Sequence, residues 1–408
     1  MCENKCKKLT VAIIGCGSFA RNFVDLFKWH PTVEKVYVCD LDRSKAEEYS
    51  EKFNVEIIET FEDVLNNESI NCVAIFTQRY THGKLVIQAL EAGKDVYSAV
   101  PMAVSVEDCK NIVEAVERTK RIYMMGETCV YYPSSMYCKE AYEKGEFGNF
   151  VYAESQYYHD ISHFPAAFIE DRKGSGVPPF YYPTHSTAMV LHATNSHVVK
   201  VTAMGYVDKE ENTPYAVGEN YWDNCFSNEF SLMQLSNGGV ARVNEGRRIG
   251  YKAPSSCVSG FYGTKASYQF SNAQHIVQTL DGKGVQFKEV SSYVNPAEMT
   301  KNNNGSEEFK KKVANHGYQW NCVAPIQEKE YQRLPQAYKD NPEVNGHMAS
   351  HQFLIDDFCT CVSQGKQPYV NAWRAARFTM PGLLAHESAL KGGVPVEVPD
   401  FGDGPKSE

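Results

Sequence analysis

The chain has 408 residues, 43% of them hydrophobic and 22% charged. At about 150 residues per domain that length predicts two or three domains, and the balance excludes a disordered or low-complexity chain. Forty-one basic residues against 50 acidic ones leave a net charge of −9 with no basic block, which argues against nucleic acid or an anionic membrane surface as partner.

No apolar run reaches the roughly 18 residues of a membrane helix. The opening Met1-Cys2-Glu3-Asn4-Lys5-Cys6-Lys7-Lys8 runs straight into a strand-like stretch, without the apolar core of an export signal. The 13 cysteines are odd in number and form no Cys-x-x-Cys pair. They predict free thiols in a reducing cytoplasm and no metal site; Cys359-x-Cys361 is too close for zinc.

From residue 9 to about 125, strand and helix alternate. Strands are predicted at 9–14, 36–39, 55–58, 72–76, 95–98 and 122–125. Helices are predicted from the first glycine turn through Phe27, then at 44–53, 82–92 and 106–119. Apolar runs that are continuous rather than alternating mean strands buried on both faces, hence a doubly wound α/β domain with a parallel sheet. From about 129 to 290 the pattern changes to strands at 150–158, 198–206, 227–235, 239–245, 257–260 and 266–270, with few helices and a hairpin turn at Asn237-Gly238-Gly239. An α+β domain with an open, mostly antiparallel sheet follows. Residues 295–345 read as a long polar loop, functional or an oligomer arm. Leu354, Phe358, Cys361 and Val362 then mark a helix stopped by Gly365, and a second helix opens near Asn371 and bends at Pro381. The domains are drawn at 1–128, 129–347 and 348–408.

Gly15-Cys16-Gly17-Ser18-Phe19-Ala20 fits the G-x-G-x-x-A dinucleotide turn, directly after the first strand and opening a helix. Gly15 permits the tight turn, Gly17 lets backbone approach a diphosphate, and the small Ala20 keeps helix and strand close; unpaired N–H groups at the helix start bind the anion. Asp40 ends the next strand, 20 residues after Ala20, placed for the adenosine ribose hydroxyls. Its carboxylate would repel a 2′-phosphate and so favours NAD, while Arg43 keeps NADP open. Later strand ends add Thr77, Gln78, Tyr80 and His82, then Ala99, Val100 and Pro101, because ligands bind at the carboxyl ends of parallel strands.

With these motifs the chain resembles the glucose–fructose oxidoreductase, inositol dehydrogenase and MocA superfamily over nearly its whole length. In that family a tail of helices packs back on the first domain, and members are usually oligomers that bury the open sheet against another subunit. Its second strand end normally reads Glu-Lys-Pro, with a lysine that contacts cofactor and substrate; here the residues are Ala99, Val100 and Pro101. The NAD-dependent α-N-acetylgalactosaminidase branch resembles the chain more closely, and there too the lysine position is apolar. Met125-Gly126-Glu127-Thr128-Cys129 resembles its Met-Leu-Glu-Asn-Cys, and Tyr182-Pro183-Thr184-His185 matches its Tyr-Pro-Thr-His. The strand ending His159-Asp160 and the turns Gly263-Thr264-Lys265 and Gly346-His347-Met348 fall in the same order. The glutamate which that branch carries is Ala99 here.

The resemblance implies that His185 faces the nicotinamide and takes the proton of a substrate hydroxyl, a task suited to imidazole near neutral pH. The aspartate that usually orients it, four residues earlier, is Tyr181, leaving Tyr182 as a stand-in. Glu127 is placed by it near the nicotinamide, as cofactor or catalytic residue. His159 and Asp160 are candidates for orienting sugar hydroxyls or replacing the lysine, and Tyr251 and His347 follow from weaker matches. The leading expectation is an NAD-dependent dehydrogenase oxidising a ring hydroxyl, plausibly C3, of a sugar or glycoside, in a cytoplasmic homo-oligomer. Two alternatives stand beside it: an NAD-recycling glycosidase working by transient C3 oxidation and elimination, and an NAD-bound sensor without turnover.

Overall fold

The computed structural model describes residues 7–161, 171–250, 256–271, 274–280, 285–294, 323–341 and 346–405. They form two compact units. The first comprises residues 1–128, 330–376 and 401–408, and the second 129–329 and 377–400. The sequence-based boundaries thus shift in two places: residues 330–347 go with the first unit rather than the middle region, and 377–400 join the second.

In the first unit β1 (Leu9–Ile14), β2 (Val33–Cys39), β3 (Glu56–Ile57), β4 (Cys72–Ile75), β5 (Asp95–Ser98) and β6 (Tyr123–Met125) form one sheet in the order β3-β2-β1-β4-β5-β6. Every pairing is parallel. β4 and β5 are buried along their whole length, as their unbroken apolar runs require. The helices are α1 (Arg21–Trp29), α2 (Arg43–Phe53), α3 (Phe61–Asn66), α4 (His82–Glu91) and α5 (Val106–Thr119). Asp42, Thr60 and Ser105 cap α2, α3 and α5 by accepting hydrogen bonds from backbone N–H groups of the first turn, each worth about 1 kcal/mol. Strand order reverses between β1 and β4. Their carboxyl ends, at Gly15 and Phe76, therefore mark the switch point where such sheets bind ligands. The helix Ser350–Gln364, ended by Gly365 at φ 71°, belongs to this unit. There the Tyr338 hydroxyl donates to the Leu26 carbonyl at 2.7 Å and Arg333 pairs with Asp356 and Asp357.

The second unit holds α6 (Pro133–Glu143) and a nine-stranded sheet. In chain order its strands are β7 (Phe150–Tyr158), β8 (Val198–Val207), β9 (Phe226–Leu235), β10 (Val240–Gly246), β11 (Ser256–Gly263), β12 (Ala266–Ser271), β13 (Gln274–Leu280), β14 (Val285–Glu289) and β15 (Val396–Glu397). Spatial order is β14-β13-β12-β11-β7-β10-β9-β8-β15, with β7 and β10 parallel and the other pairs antiparallel. Gly238 turns the β9–β10 hairpin at φ 87°.

Two expectations change here. The middle region is not poor in helices: α6 and the helix Thr184–Thr194, buried throughout, belong to it. Total burial erases the one-sided apolar stripe by which an amphipathic helix is recognised. The polar stretch 295–345 is partly helical, at Glu328–Arg333 and Gln336–Asp340, and the rest of it lies mostly outside the described residues. On the open face of the sheet Met204, Phe230 and Leu232 remain 59%, 38% and 48% exposed. Among the described residues no helix is long and apolar enough to cross a membrane.

Candidate active site

The first turn has the shape a dinucleotide needs. Gly15 sits at φ 95°, and a Cβ there would lie 2.9 Å from the Phe76 carbonyl oxygen, so only glycine fits. A Cβ on Gly17 would meet no protein atom within 4 Å: the space over it is open, and backbone can approach a bound diphosphate. Ala20 is buried at the start of α1, whose first turn has neither an acidic residue nor a side-chain cap. No side chain therefore competes with an anion for the positive end of its dipole. Asp40 braces the turn from the end of β2, accepting from Cys16 N–H at 2.6 Å and Asp42 N–H at 2.8 Å. These residues fit a dinucleotide.

The other cofactor candidates divide. Ser18 and Phe19 are exposed on the turn, and Thr77, Gln78 and Tyr80 reach the surface beyond β4. Arg43 pairs with Glu47 and Glu59 at the exposed surface. His82 is fully buried, with Nδ1 2.8 Å from the Pro101 carbonyl and Nε2 3.1 Å from that of Thr77. Burial lowers its pKa, and a neutral ring donates one N–H. It therefore donates to one of these two strand-end carbonyls from a buried, structural seat. Ala99, Val100 and Pro101 are buried beside it. Glu127 is completely buried after β6. Burial and the Glu127 charge push the Tyr97 phenol well above its ordinary range.

His347 belongs to this unit, its ring edge-on to Phe19 with centroids 5.8 Å apart. It opens a left-handed run, with Met348 and Ala349, so the structure places it by the dinucleotide turn. His351, missed in the sequence, packs on Phe19, Phe23 and His347. Neither of its ring nitrogens has a hydrogen-bond partner among the described residues, and burial holds its pKa well below the ordinary value.

The second unit holds the catalytic candidates His159, Asp160, Tyr182 and His185. His185 lies in the first turn of the helix Thr184–Thr194, which is tied down from three sides. Ser155 on β7 donates to the Ser186 carbonyl at 2.6 Å, Thr187 donates to the Phe378 carbonyl at 2.5 Å, and Ser186 donates to Glu245. The strap before it is held by Glu229, which accepts from the Phe180 N–H at 2.8 Å and pairs with His386 at 2.7 Å. Gly382 makes room for the strap, since a Cβ there would sit 2.2 Å from Pro183 Cβ. Nδ1 of His185 lies 3.5 Å from Cys129 Sγ, and the Tyr157 and Tyr182 rings pack edge-on at 5.1 and 5.2 Å. Tyr181, at the usual aspartate's position, packs on His386 instead.

Beneath these rings lies a buried ion pair, Glu245 with Arg247, 2.9 Å apart. Arg247 also donates to the carbonyls of Tyr157, Gly246 and Pro179, and its guanidinium lies 4.9 Å from the Tyr157 ring centre and 6.0 Å from that of Tyr182. Desolvation works against the cation, but Glu245 and Tyr157 outweigh it and hold the pKa above its ordinary value. Burial dominates at Glu245 and raises its carboxyl to about 8, against the pull of Arg247 and Ser186. His159 follows β7 with Nδ1 2.6 Å from the Tyr157 hydroxyl, and Asp160 beside it is partly exposed. Tyr251 lies outside the described residues. Tyr157 shares a strand face with Ser155 and His159, a period-two pattern visible in the sequence; Arg247 and Glu245 carried no such signal.

A Rossmann unit with an open glycine turn at its strand-order switch point is a dinucleotide-binding fold. Residues 9–127 match the family model described as "Oxidoreductase family, NAD-binding Rossmann fold". The chain is 24% identical over 420 residues to a glycosyl hydrolase family 109 protein of Streptomyces filamentosus, covering 96% of this chain and 77% of that one. To an alpha-N-acetylgalactosaminidase of Bacteroides fragilis it is 23% identical over 359 residues, covering 82% and 76%. Its fold is shared by an oxidoreductase domain protein of Kribbella flavida (TM-score 0.73, 15% identity, 97% and 100% covered) and by levoglucosan dehydrogenase solved with NADH and levoglucosan (TM-score 0.71, 17% identity, 97% and 100% covered). Residues 9–127 are thus assigned to an NAD-binding Rossmann fold of the oxidoreductase family, and the chain shares its fold with these solved oxidoreductases.

Two substitutions test these arrangements. Gly17→Val should leave the melting temperature nearly unchanged while weakening NAD binding, read by calorimetric titration, by about 100-fold or more; unaltered affinity would place the dinucleotide elsewhere. Glu245→Ala strands a buried guanidinium and should cost about 3–5 kcal/mol in urea unfolding.

Proposed function

We propose that the protein oxidises a ring hydroxyl, plausibly at C3, of a sugar or glycoside, with His185 as general base. The observation that carries this reading is the seat of His185: an imidazole fixed at a helix start between two tyrosine rings, in a chain that binds NAD. Bound NAD supplies the hydride acceptor. His185 takes the hydroxyl proton as the carbonyl forms, Tyr182 confines its ring, and Asp160 offers a carboxylate to neighbouring hydroxyls. The names of its relatives, an alpha-N-acetylgalactosaminidase and levoglucosan dehydrogenase, agree on carbohydrate.

A second reading, transient oxidation followed by elimination of the aglycone and return of the hydride, is favoured by the family 109 names. Ala99 in place of that branch's glutamate favours net dehydrogenation. Incubation with NAD and a panel of methyl and p-nitrophenyl glycosides separates them: net NADH with a keto-glycoside marks the dehydrogenase, and free sugar without net NADH the glycosidase. His185→Ala should lower either rate by about 100-fold or more with NAD affinity kept; a variant near the parent rate would remove His185 from the chemistry.

The exposed apolar side chains Met204, Phe230 and Leu232 on the open sheet face support a homo-oligomer. Light scattering should then report a multiple of the 45.9 kDa chain mass, and a monomer at micromolar concentration would contradict it. No disulfide joins the described cysteines, which agrees with a cytoplasmic setting.

A further inference from the structure

A neutral imidazole carries one proton, on Nδ1 or on Nε2, and only the bare nitrogen can take another. The base of a hydroxyl oxidation therefore has to be held in one tautomer, and the N–H of its other nitrogen needs an acceptor. An N–H shut away from water without one is costly. Tyr181 stands where the orienting aspartate is usual, and its ring packs on His386, with centroids 5.1 Å apart. The group that does face Nδ1 of His185 is Cys129, whose Sγ lies 3.5 Å away, within hydrogen-bonding reach of the large sulfur atom. Cys129 is wholly buried, whereas His185 keeps 6% of its surface exposed, so Nδ1 is the nitrogen turned to the interior. Tyr157 and Tyr182 flank the ring at 5.1 and 5.2 Å. The bond from Ser155 to the Ser186 carbonyl fixes the backbone from which it hangs.

We propose that Cys129 is the positioning residue of His185: its sulfur accepts the Nδ1–H and keeps Nε2 bare for the proton of the substrate hydroxyl. The inference rests on the reading of His185 as base. The opposite arrangement, with the thiol donating to Nδ1, puts the ring proton on Nε2 and leaves that nitrogen unable to take another. Cys129 itself exchanges no proton. In the chemical step the hydroxyl O–H breaks as Nε2–H forms, and the electrons of the C–H bond leave with the hydride to NAD. A thiol is a weak, neutral partner, so it selects the tautomer without adding the negative charge that an aspartate would bring. Its removal is therefore felt in the chemical step and little in binding.

Nitrogen-15 NMR of histidine-labelled protein, with the rings neutral, reads the tautomer without turnover. The His185 signals, identified by their absence from His185→Ala, should show a protonated Nδ1 and a bare Nε2. In Cys129→Ala they should shift towards a mixture of tautomers. With the methyl or p-nitrophenyl glycoside that the parent oxidises fastest, kcat of that variant should fall about tenfold, while KM and NAD affinity stay within about twofold. Cys129→Ser, which keeps an acceptor in place, should recover most of the rate and the parent tautomer. A parent ring with its proton on Nε2, Cys129→Ala at the parent kcat, or Cys129→Ser as slow as Cys129→Ala would each overturn the proposal. So would loss of binding in step with the rate, which marks a residue that only packs. A parent forming no NADH, or His185→Ala keeping its rate, would instead overturn the reading of the base.

Discussion

The buried pair of Glu245 and Arg247 is the constraint that holds Tyr157, Tyr182 and the helix of His185 together. Two charges taken out of water are costly unless each is fully engaged, and here they are. Glu245 receives Arg247 and the Ser186 hydroxyl, while Arg247 spends its remaining donors on the carbonyls of Tyr157, Gly246 and Pro179. Those contacts join four pieces of chain: the end of β7, the end of β10, the strap before Tyr182 and the helix that starts at Thr184. A neutral apolar core would pack as well, yet it would not fix the angles at which Tyr157, Tyr182 and His185 meet.

The first unit solves a different problem, binding a diphosphate with almost no side-chain charge. Gly15 supplies a backbone conformation closed to other residues, Gly17 leaves the surface bare, and α1 presents uncapped N–H groups. Asp40 serves this turn twice. Its carboxylate braces the backbone through the Cys16 and Asp42 N–H groups, and its charge discriminates against a 2′-phosphate. Arg43 nearby pairs with Glu47 and Glu59 at the exposed surface. His82 shows how a conspicuous residue at a strand end can be structural: both its nitrogens face carbonyls that link neighbouring loops.

What the sequence discloses follows from how local each signal is. The parallel sheet was legible because its strands are continuously apolar, and the dinucleotide turn because glycine is demanded at fixed offsets. His185 was singled out through Tyr-Pro-Thr-His. The helix that carries it was not, because it is buried on every side and has no stripe. Glu245 and Arg247 read as ordinary strand-end charges; only the parallel pairing of β10 with β7, distant in the chain, brings Arg247 under Tyr157. His351 was hidden for a similar reason, since its neighbour Phe19 lies more than three hundred residues earlier. In each case the missing information is tertiary contact, which no local pattern encodes.

Both catalytic readings begin with the same event, a carbon-bound hydrogen leaving a sugar as hydride. Rapid-quench mass spectrometry of the cofactor during a single turnover with a ring-deuterated glycoside measures that event directly, before any return of the hydride. The account predicts that NADH carries one deuterium from one ring carbon. Release of product, or full conversion of substrate, with unlabelled cofactor throughout would contradict it.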